Sequence, residues 1–170
     1  MAKVKRRVVH DGNIYEVACA VRADGVTSPV DQFLNQLEGR AWRQETGETS
    51  TLNADEQYSA YEWVLAAIEF FAEHGEFHHR GNYNYLYEGI WEIKRYDLRI
   101  SFYDTDGHGG YEPKMGVRSV YGGGGGFPLP DFDEYIRLGT VFEKTAARAP
   151  REELDLAAVI REEDLAHDRD

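Results

Sequence analysis

The residues best suited to chemistry stand near the end of the chain, where cationic side chains follow an apolar run. Residues 142–153 (FEKTAARAPREE) carry Lys144, Arg148 and Arg151, with Pro150 just before a helical pattern. This pattern predicts a strand that ends in a cationic loop and continues directly into a helix. Lysine and arginine are the side chains that proteins use to bind phosphate oxygens, arginine through a planar fork of donors.

Three other groups of residues suggest ligand sites but lack the required spacing. His74 and His78 are four residues apart, yet Gly75 interrupts the predicted helix between them, which disfavours zinc. The glycine run at 122–126 is followed by neither a Gly-Lys-Ser/Thr sequence nor a helix, so it does not predict a phosphate loop. Residues 104–107 (DTDG) begin like a calcium loop, but the downstream glutamate is misplaced. The sequence therefore predicts no metal and no cofactor.

The elements that must position these residues are indicated by caps and periodicity. Ser28 and Pro29 predict a first helix that ends at Gly39, and a capping box at Asn53 predicts a second helix that stops at Gly75. Alternating or β-branched runs predict strands over residues 13–21, 83–86, 90–96, 98–105 and 135–142. A last helix is predicted from Pro150 to about Ala166. This order indicates an α+β domain.

Four short motifs in this order carry a family resemblance. They are residues 28–34 (SPVDQFL), 91–94 (WEIK), 98–103 (LRISFY), and Phe142 with the Lys144, Arg148 and Pro150 that follow it. Together they resemble the RelE/HigB-type toxins of type II toxin–antitoxin systems, in the phage-derived HigB-like branch. The resemblance extends over a little more than half of the chain.

The resemblance implies a fold, and it implies a single domain. The expected fold is a RelE/ParE-like twisted antiparallel sheet, with the two helices of the N-terminal half packed on one face and a C-terminal helix. Residues 1–170 would form one domain, with loop insertions at about residues 39–52 and 106–134. The second insertion holds the glycine run and three of the chain's 5 prolines.

The resemblance also implies a function. Such toxins cleave mRNA, commonly on the ribosome and without a metal, and are silenced by a cognate antitoxin that is often a helix-turn-helix protein. By resemblance, the catalytic cations are Lys94, Arg99 and Lys144, and the RNA contacts are Arg95, Tyr96 and Arg148. Tyr103 is a further candidate for stacking or proton transfer. The cations would offset the charge that builds up on the phosphate when a ribose 2′-hydroxyl attacks it.

Each of these residues also has a plain structural interpretation. Arg99 can pair with a core-edge carboxylate such as Glu92, and Lys94 and Lys144 can be solvated lysines at strand ends. Three aromatic residues in the same motifs are expected in the core rather than on an RNA surface: Trp91, Phe102 and Phe142.

The charge of the chain favours a second hypothesis for its function. The formal net charge is −12, whereas phosphate binding needs a cationic surface. Residues 31–89 carry 11 acidic and 3 basic side chains, but residues 90–148 carry 9 and 8, so the region of the motifs is nearly balanced. Glu92, Glu143 and Ala147 also thin the cationic pattern. The alternative is a catalytically inactive RelE-fold module that binds a protein partner.

Composition sets the remaining expectations. The single cysteine, Cys19, lies in an alternating apolar run and is expected in the core, without a disulfide. No apolar run approaches the roughly 20 residues that span a membrane, and the basic N-terminus lacks the apolar segment of a signal peptide. A cytoplasmic protein is expected.

Overall fold

A six-stranded sheet forms the centre of the molecule. The computed structural model describes residues 4–42, 50–117, 127–144 and 151–169. The strands are β1 (Val8–Asp11), β2 (Glu16–Cys19), β3 (Tyr83–Tyr87), β4 (Ile90–Arg95), β5 (Leu98–Thr105) and β6 (Tyr135–Glu143), and the helices are α1 (Pro29–Glu38), α2 (Ala54–His74) and α3 (Arg151–Ala166). The strands lie in the order β1-β2-β6-β5-β4-β3. The predicted α+β fold class is confirmed.

The sheet contains one parallel pair among its antiparallel ones. Strand β2 runs parallel to β6, in a register from Glu16 opposite Tyr135 to Cys19 opposite Leu138. The strands β6, β5, β4 and β3 are successively antiparallel, as is the β1–β2 pair. The first and last parts of the sheet therefore meet at β6, in its interior.

The first predicted strand is shorter than expected, and a strand before it was not predicted. Of residues 13–21 only Glu16–Cys19 form β2, while Val8–Asp11 form β1 at the sheet edge. The side chains of β1 are partly or fully exposed, and the strand ends in His10 and Asp11. An edge strand without a buried face gives no alternating hydrophobic pattern to detect.

Helix α1 begins and ends where its caps predict, but Ser28 has a different role. Pro29 occupies the first turn, and the helix ends at Gly39. The Ser28 side chain makes no cap hydrogen bond. Instead its hydroxyl donates to the carbonyl of Ala20 at 2.7 Å, which ties the start of α1 to the chain just after β2.

Helix α2 has both predicted ends. The Glu56 N–H donates to the Asn53 side chain at 2.8 Å, and the Glu56 carboxylate accepts from the Asn53 N–H at 3.1 Å, which completes the capping box. At the other end, Gly75 has φ +72° and its N–H donates to the carbonyl of Phe71. A left-handed residue at this position favours glycine, because other residues strain there.

The two faces of the sheet pack against different helices. Phe102 on β5 contacts Phe71 of α2, with ring centroids 5.5 Å apart, inside the larger core that α1 and α2 cover. The next residue, Tyr103, packs with Ile160 and Leu165 of α3 in a separate cluster. Because neighbouring residues of a strand face opposite ways, α3 lies on the opposite face from α1 and α2.

A buried carboxylate in α3 fixes that helix to the sheet. Asp164 is 0% exposed and accepts hydrogen bonds from the Val21 N–H at 2.9 Å, Arg6 at 2.8 Å and Arg137 at 3.0 Å. The hydroxyl of Tyr103 also donates to it. Charge-assisted hydrogen bonds from several elements hold the C-terminal half of α3 in one position.

The two predicted insertions contribute to the core where the structure describes them. Trp42 is 3% exposed and packs edge-on against Phe33, with centroids 4.9 Å apart. Phe132 is buried against Trp91 and Phe102, and the Trp91 indole N–H donates to the carbonyl of Lys114 at 2.9 Å. Residues 43–49 and 118–126, including the glycine run, lie outside the described residues.

Candidate functional site

Two of the predicted catalytic cations, Lys94 and Arg99, lie directly opposite each other on β4 and β5. Their neighbours Ile93 and Ile100 belong to the core beneath α1 and α2, so Lys94 and Arg99 point to the other face of the sheet. Side chains that are opposite in an antiparallel pair have Cβ atoms about 5 Å apart. The fold therefore places two cations side by side.

The third predicted cation, Lys144, joins them from the end of β6. Phe142 on β6 pairs with Arg99, and Lys144 follows two residues later. The Lys144 N–H donates to the carbonyl of Asp97, in the turn between β4 and β5, at 2.6 Å. The positive charges of Arg99 and Lys144 both act on Lys94. We call Lys94, Arg99 and Lys144 the cation cluster.

Glu143, which weakens the cationic pattern in the sequence, is turned away from the cluster. It pairs with Leu98, whose side chain lies in the core beneath α1 and α2. Its carboxylate accepts from the Thr51 hydroxyl at 2.7 Å, and also from the Ser50 hydroxyl. Alternation along β6 thus removes this acid from the face that carries Lys144.

A buried carboxylate, Glu92, lies at the base of the cation cluster. It shares a face of β4 with Lys94 and is only 2% exposed. Its Oε1 is 3.6 Å from Nε of Arg99, which fulfils the structural interpretation of Arg99 as an ion-pair partner. At this distance the two charges attract without a hydrogen bond. Among the described residues, Glu92 Oε2 and Arg99 Nε both lack a hydrogen-bond partner.

The environment shifts the pKa values of two members of this group. Burial raises the pKa of Glu92, and the positive charges of Arg99, Lys144 and Lys94 oppose that rise. Burial lowers the pKa of Lys94, and the charges of Arg99 and Lys144 lower it further, while Glu92 acts in the other direction. Both shifts move the pKa of a proton-exchanging group towards neutral pH.

Arg99 is held in place by the turn that precedes it. Its Nη1 donates to the carbonyl of Leu98 at 3.0 Å and to the carbonyl of Tyr96. Tyr96 has φ +51°, and that conformation is part of the turn that presents its carbonyl. The guanidinium is therefore fixed at one nitrogen before any ligand arrives.

Two of the predicted RNA contacts, Arg95 and Tyr96, lie together at the hairpin, where the Arg95 guanidinium is 5.5 Å from the centroid of the Tyr96 ring. Arg95 pairs with Leu98 and lies over the ring of Trp63 in α2, 5.7 Å from the centroid, on the face away from the cation cluster. Tyr96 stands at the tip of the hairpin with 87% of its surface exposed. Arg148 lies outside the described residues. Among the described residues, Tyr96 is the predicted contact that touches the cluster, through its backbone carbonyl, which accepts from Arg99 Nη1.

Tyr103 does not belong to the site. It is 1% exposed, and its hydroxyl donates to Asp164 beneath α3. Burial raises its pKa well above the usual value, with the charge of Asp164 as the second cause. A tyrosine so placed cannot stack on a base, so the suggestion that it touches RNA is wrong.

Two residues next to the cluster, Glu92 and Asn84, are not predicted as site residues. The sequence indicates Glu92 only as an ion-pair partner of Arg99, and it does not indicate Asn84. Glu92 is two residues before Lys94 on β4, and Asn84 is its register partner on β3. The Asn84 side chain acts on the Glu92 carboxyl as a hydrogen-bond partner that lowers its pKa. The spacing of two between Glu92 and Lys94 is the sequence signal that both side chains share one face.

His74 and His78, whose spacing disfavours a zinc site, lie beside an aromatic ring. The rings of His74 and His78 both pack on Phe70, with centroid distances of 4.5 and 3.8 Å. They line a cleft of about 560 Å³ together with Arg80 and Asp131. No group of three or more metal-binding side chains occurs in the described part of the chain.

Comparisons with known proteins leave the site to be interpreted from its own geometry. No family model matches the chain, and no curated protein or solved structure matches it either. Within residues 4–42, 50–117, 127–144 and 151–169, no helix is long and apolar enough to cross a membrane.

Proposed function

We propose that this protein is the toxin component of a type II toxin–antitoxin pair, a metal-independent endoribonuclease that cleaves translated mRNA. One observation carries the proposal: Lys94, Arg99 and Lys144, which are separated in the sequence, converge on one face of the sheet. Arg99 and Lys144 come from neighbouring strands, β5 and β6, and Lys94 comes from the next strand along. Like charges repel, so such a group is stable only with a compensating anion, and Glu92 supplies one negative charge for three positive ones.

The chemistry that this group can support is cleavage of a phosphodiester by the neighbouring ribose 2′-hydroxyl. Negative charge grows on the phosphate oxygens in the transition state, and fixed cations stabilise it without having to reorganise. Arg99 is held by the hairpin carbonyls, and cannot lose its proton. Its Nε is buried beside Glu92 and has no hydrogen-bond partner among the described residues.

The proposal also requires groups that move protons. Lys94, whose pKa is lowered, is suited to donate a proton to the departing 5′-oxygen. Glu92 is 2% exposed at the base of the cluster and balances part of its positive charge, so the proton of the attacking hydroxyl leaves to water. Tyr96 adds an exposed aromatic surface on which an unpaired base can stack.

An antitoxin partner is part of the proposal. Helix α3 presents Val159, 49% exposed, on a surface that is rich in acidic side chains. A basic partner that covers this helix would lie on the same side of the sheet as the cation cluster, because both are on the face opposite α1 and α2. We expect the partner to be a small helix-turn-helix protein.

Two observations favour the second hypothesis, an inactive module that binds a protein partner. Arg99 already has an anionic neighbour in Glu92, 3.6 Å away, and the net charge of −12 repels nucleic acid. If the Arg99–Glu92 ion pair only stabilises the sheet, the cation cluster does not bind a nucleic-acid ligand. The two hypotheses then differ in whether removal of the cations has any effect besides a change in stability.

The decisive experiment is inducible expression in bacteria, followed by measurement of growth and mRNA integrity. We expect the wild-type protein to arrest growth with decay of mRNA, and the Arg99→Ala/Lys144→Ala variant to do neither. The matched control is Lys5→Ala/Arg80→Ala, which removes one lysine and one arginine at exposed positions away from the cluster and keeps the wild-type effect.

The folding of the double variant must be verified, because Arg99→Ala leaves Glu92 without its nearest cation. The Lys144→Ala variant retains that pair and is expected to reduce mRNA decay by at least tenfold, since one transition-state cation is worth about 1.4 kcal/mol or more. A folded wild-type protein that leaves growth and mRNA unchanged would contradict the proposed function and favour the interaction module.

A further inference from the structure

The cation cluster holds an anion of its own. The Glu92 carboxylate is 2% exposed, on the same face as Lys94 and near the guanidinium of Arg99. The positive charges of Arg99, Lys144 and Lys94 all favour its ionised form. In the protein without a ligand, this carboxylate therefore occupies the place that the electrostatics prepare for an external oxyanion.

The contact between Glu92 and Arg99 is incomplete, unlike the other buried carboxylate–arginine contacts of this protein. Asp164 is fully buried, like Glu92, and accepts hydrogen bonds from Arg6, Arg137 and the Val21 N–H. Glu92 Oε2 and Arg99 Nε have no hydrogen-bond partner among the described residues. Buried polar atoms are usually satisfied, so two unsatisfied atoms at one place point to an absent ligand group.

We propose that the cation cluster is a binding site for a phosphodiester oxyanion, and that Glu92 takes up a proton when the oxyanion binds. The oxyanion would contact Lys144, Lys94 and the guanidinium of Arg99. The identity of its natural ligand as RNA rests on the proposed function, but oxyanion binding and proton uptake do not.

The direction of the coupling follows from the charges that face Glu92. These are Lys94 on β4, Arg99 on β5 and Lys144 after β6, with the Asn84 amide on β3. An oxyanion among the cations repels the ionised Glu92 carboxylate and also neutralises part of the positive charge that stabilises it. Glu92 therefore holds a proton more tightly in the complex than in the free protein. By linkage, protonation of Glu92 must then strengthen oxyanion binding by the same factor. Burial already raises the pKa of Glu92, so little acidification is required.

Sulfate is the appropriate probe, because its charge is constant between pH 5 and 8. We would measure its dissociation constant by calorimetry over that range, for the wild-type protein and for Glu92→Gln. Over the pH range in which Glu92 is ionised in the free protein, we expect the affinity to rise as the pH falls, by up to about tenfold per pH unit for one linked proton. In Glu92→Gln this component of the pH dependence should disappear, and sulfate should bind more tightly than in wild type at pH 8.

Three controls make the result specific. The six histidines are present in both proteins, so their titration cancels in the comparison. The Lys144→Ala variant should bind sulfate at least several-fold more weakly, whereas Lys5→Ala/Arg80→Ala should match wild type. A short oligouridylate should show the same dependence on pH as sulfate, if its phosphodiester is what the site accepts.

Two results would overturn the inference: no sulfate binding at any pH, or an equal pH dependence in wild type and Glu92→Gln. Proton uptake can also be measured on wild type alone, from the dependence of the binding enthalpy on the buffer, and sulfate binding without any proton uptake would overturn the inference even if Glu92→Gln folds poorly. The outcome is separate from nuclease activity. Proton-linked sulfate binding without growth arrest would contradict the ribonuclease, whereas growth arrest with no effect of Glu92→Gln on the pH dependence would contradict only the inference.

Discussion

At the scale of residues, two buried carboxylates that lie near arginine, Glu92 and Asp164, differ in how completely they are hydrogen-bonded. Both are at most 2% exposed and both lie near arginine. Asp164 has donors from four parts of the chain, whereas Glu92 has an unpaired oxygen. A satisfied network stabilises one conformation, and an unsatisfied group keeps the capacity to interact with a ligand.

The role of Asp164 as a support can be tested by its removal. Asp164→Ala removes a buried partner of Arg6 and Arg137, which among the described residues keep only Asp168 as an ion-pair partner, and loss of one member of a buried ion pair costs up to about 3–5 kcal/mol. Urea unfolding should show that loss. The matched control is Asp155→Ala on the same helix, since Asp155 is exposed and should change stability by less than about 0.5 kcal/mol. Equal effects of the two substitutions would show that Asp164 does not anchor α3.

At the scale of elements, turns and caps decide which residues meet. The β4–β5 turn sets the register that places Lys94 opposite Arg99, and the capping box and Gly75 set the two ends of α2. A shift of one residue in the hairpin would move Lys94 or Arg99 to the α2 side of the sheet. The site therefore depends on local backbone geometry as much as on the identity of its cations.

The end of α2 offers a test of such local geometry. Gly75 has φ +72°, and a Cβ there would meet Ile14 at an ordinary 3.6 Å, so Gly75→Ala acts through backbone strain. We expect it to lower the free energy of unfolding by about 1–2 kcal/mol. Gly81→Ala is the control, because Gly81 does not have positive φ and a Cβ there meets nothing within 4 Å. Denaturant unfolding that gives equal values for both variants would contradict the role assigned to Gly75.

The sequence predicts the elements that have a local pattern of caps or hydrophobic alternation. It does not predict features that depend on packing between distant parts of the chain. Strand β5 is predicted with its observed bounds, Leu98–Thr105, because its side chains are buried on both faces of the sheet and are accordingly apolar or aromatic at alternate positions. Strand β1 has no buried face and leaves no pattern. The grouping of the cations follows from the resemblance, but the burial of Glu92 and the departure of Arg95 to the α2 side depend on packing and register. Neither is determined by the neighbouring residues alone.

At the scale of the whole molecule, a small cationic face must work on an acidic protein. The net charge is −12, and residues 31–89 alone carry 11 acidic side chains. Salt screens the repulsion between RNA and distant acidic side chains beyond about 8 Å at physiological ionic strength. Short-range contacts between phosphate and the cation cluster are therefore not cancelled by the net charge. The proposed binding of RNA should therefore depend on a few short-range contacts and not on a broad attractive field.

This view predicts a shallow dependence of RNA binding on salt. With three phosphate contacts, the logarithm of the association constant for a single-stranded oligonucleotide should fall with a slope of about −2 against the logarithm of salt concentration. Lys144→Ala should reduce the slope by about 0.7, whereas Lys5→Ala should leave it unchanged. Fluorescence anisotropy at several salt concentrations gives these slopes. A slope insensitive to Lys144 would place the phosphate contacts elsewhere.

The parallel pairing of β2 with β6 has a consequence for how the protein is made. Strand β6 lies between β2 and β5, so the sheet remains in two separate pieces until residues 135–143 have left the ribosome. Contacts between such distant parts of a chain form slowly, because a long loop must close first. The nascent chain cannot assemble the cation cluster before Lys144 emerges, so the cluster forms only when β6 joins the two pieces of the sheet.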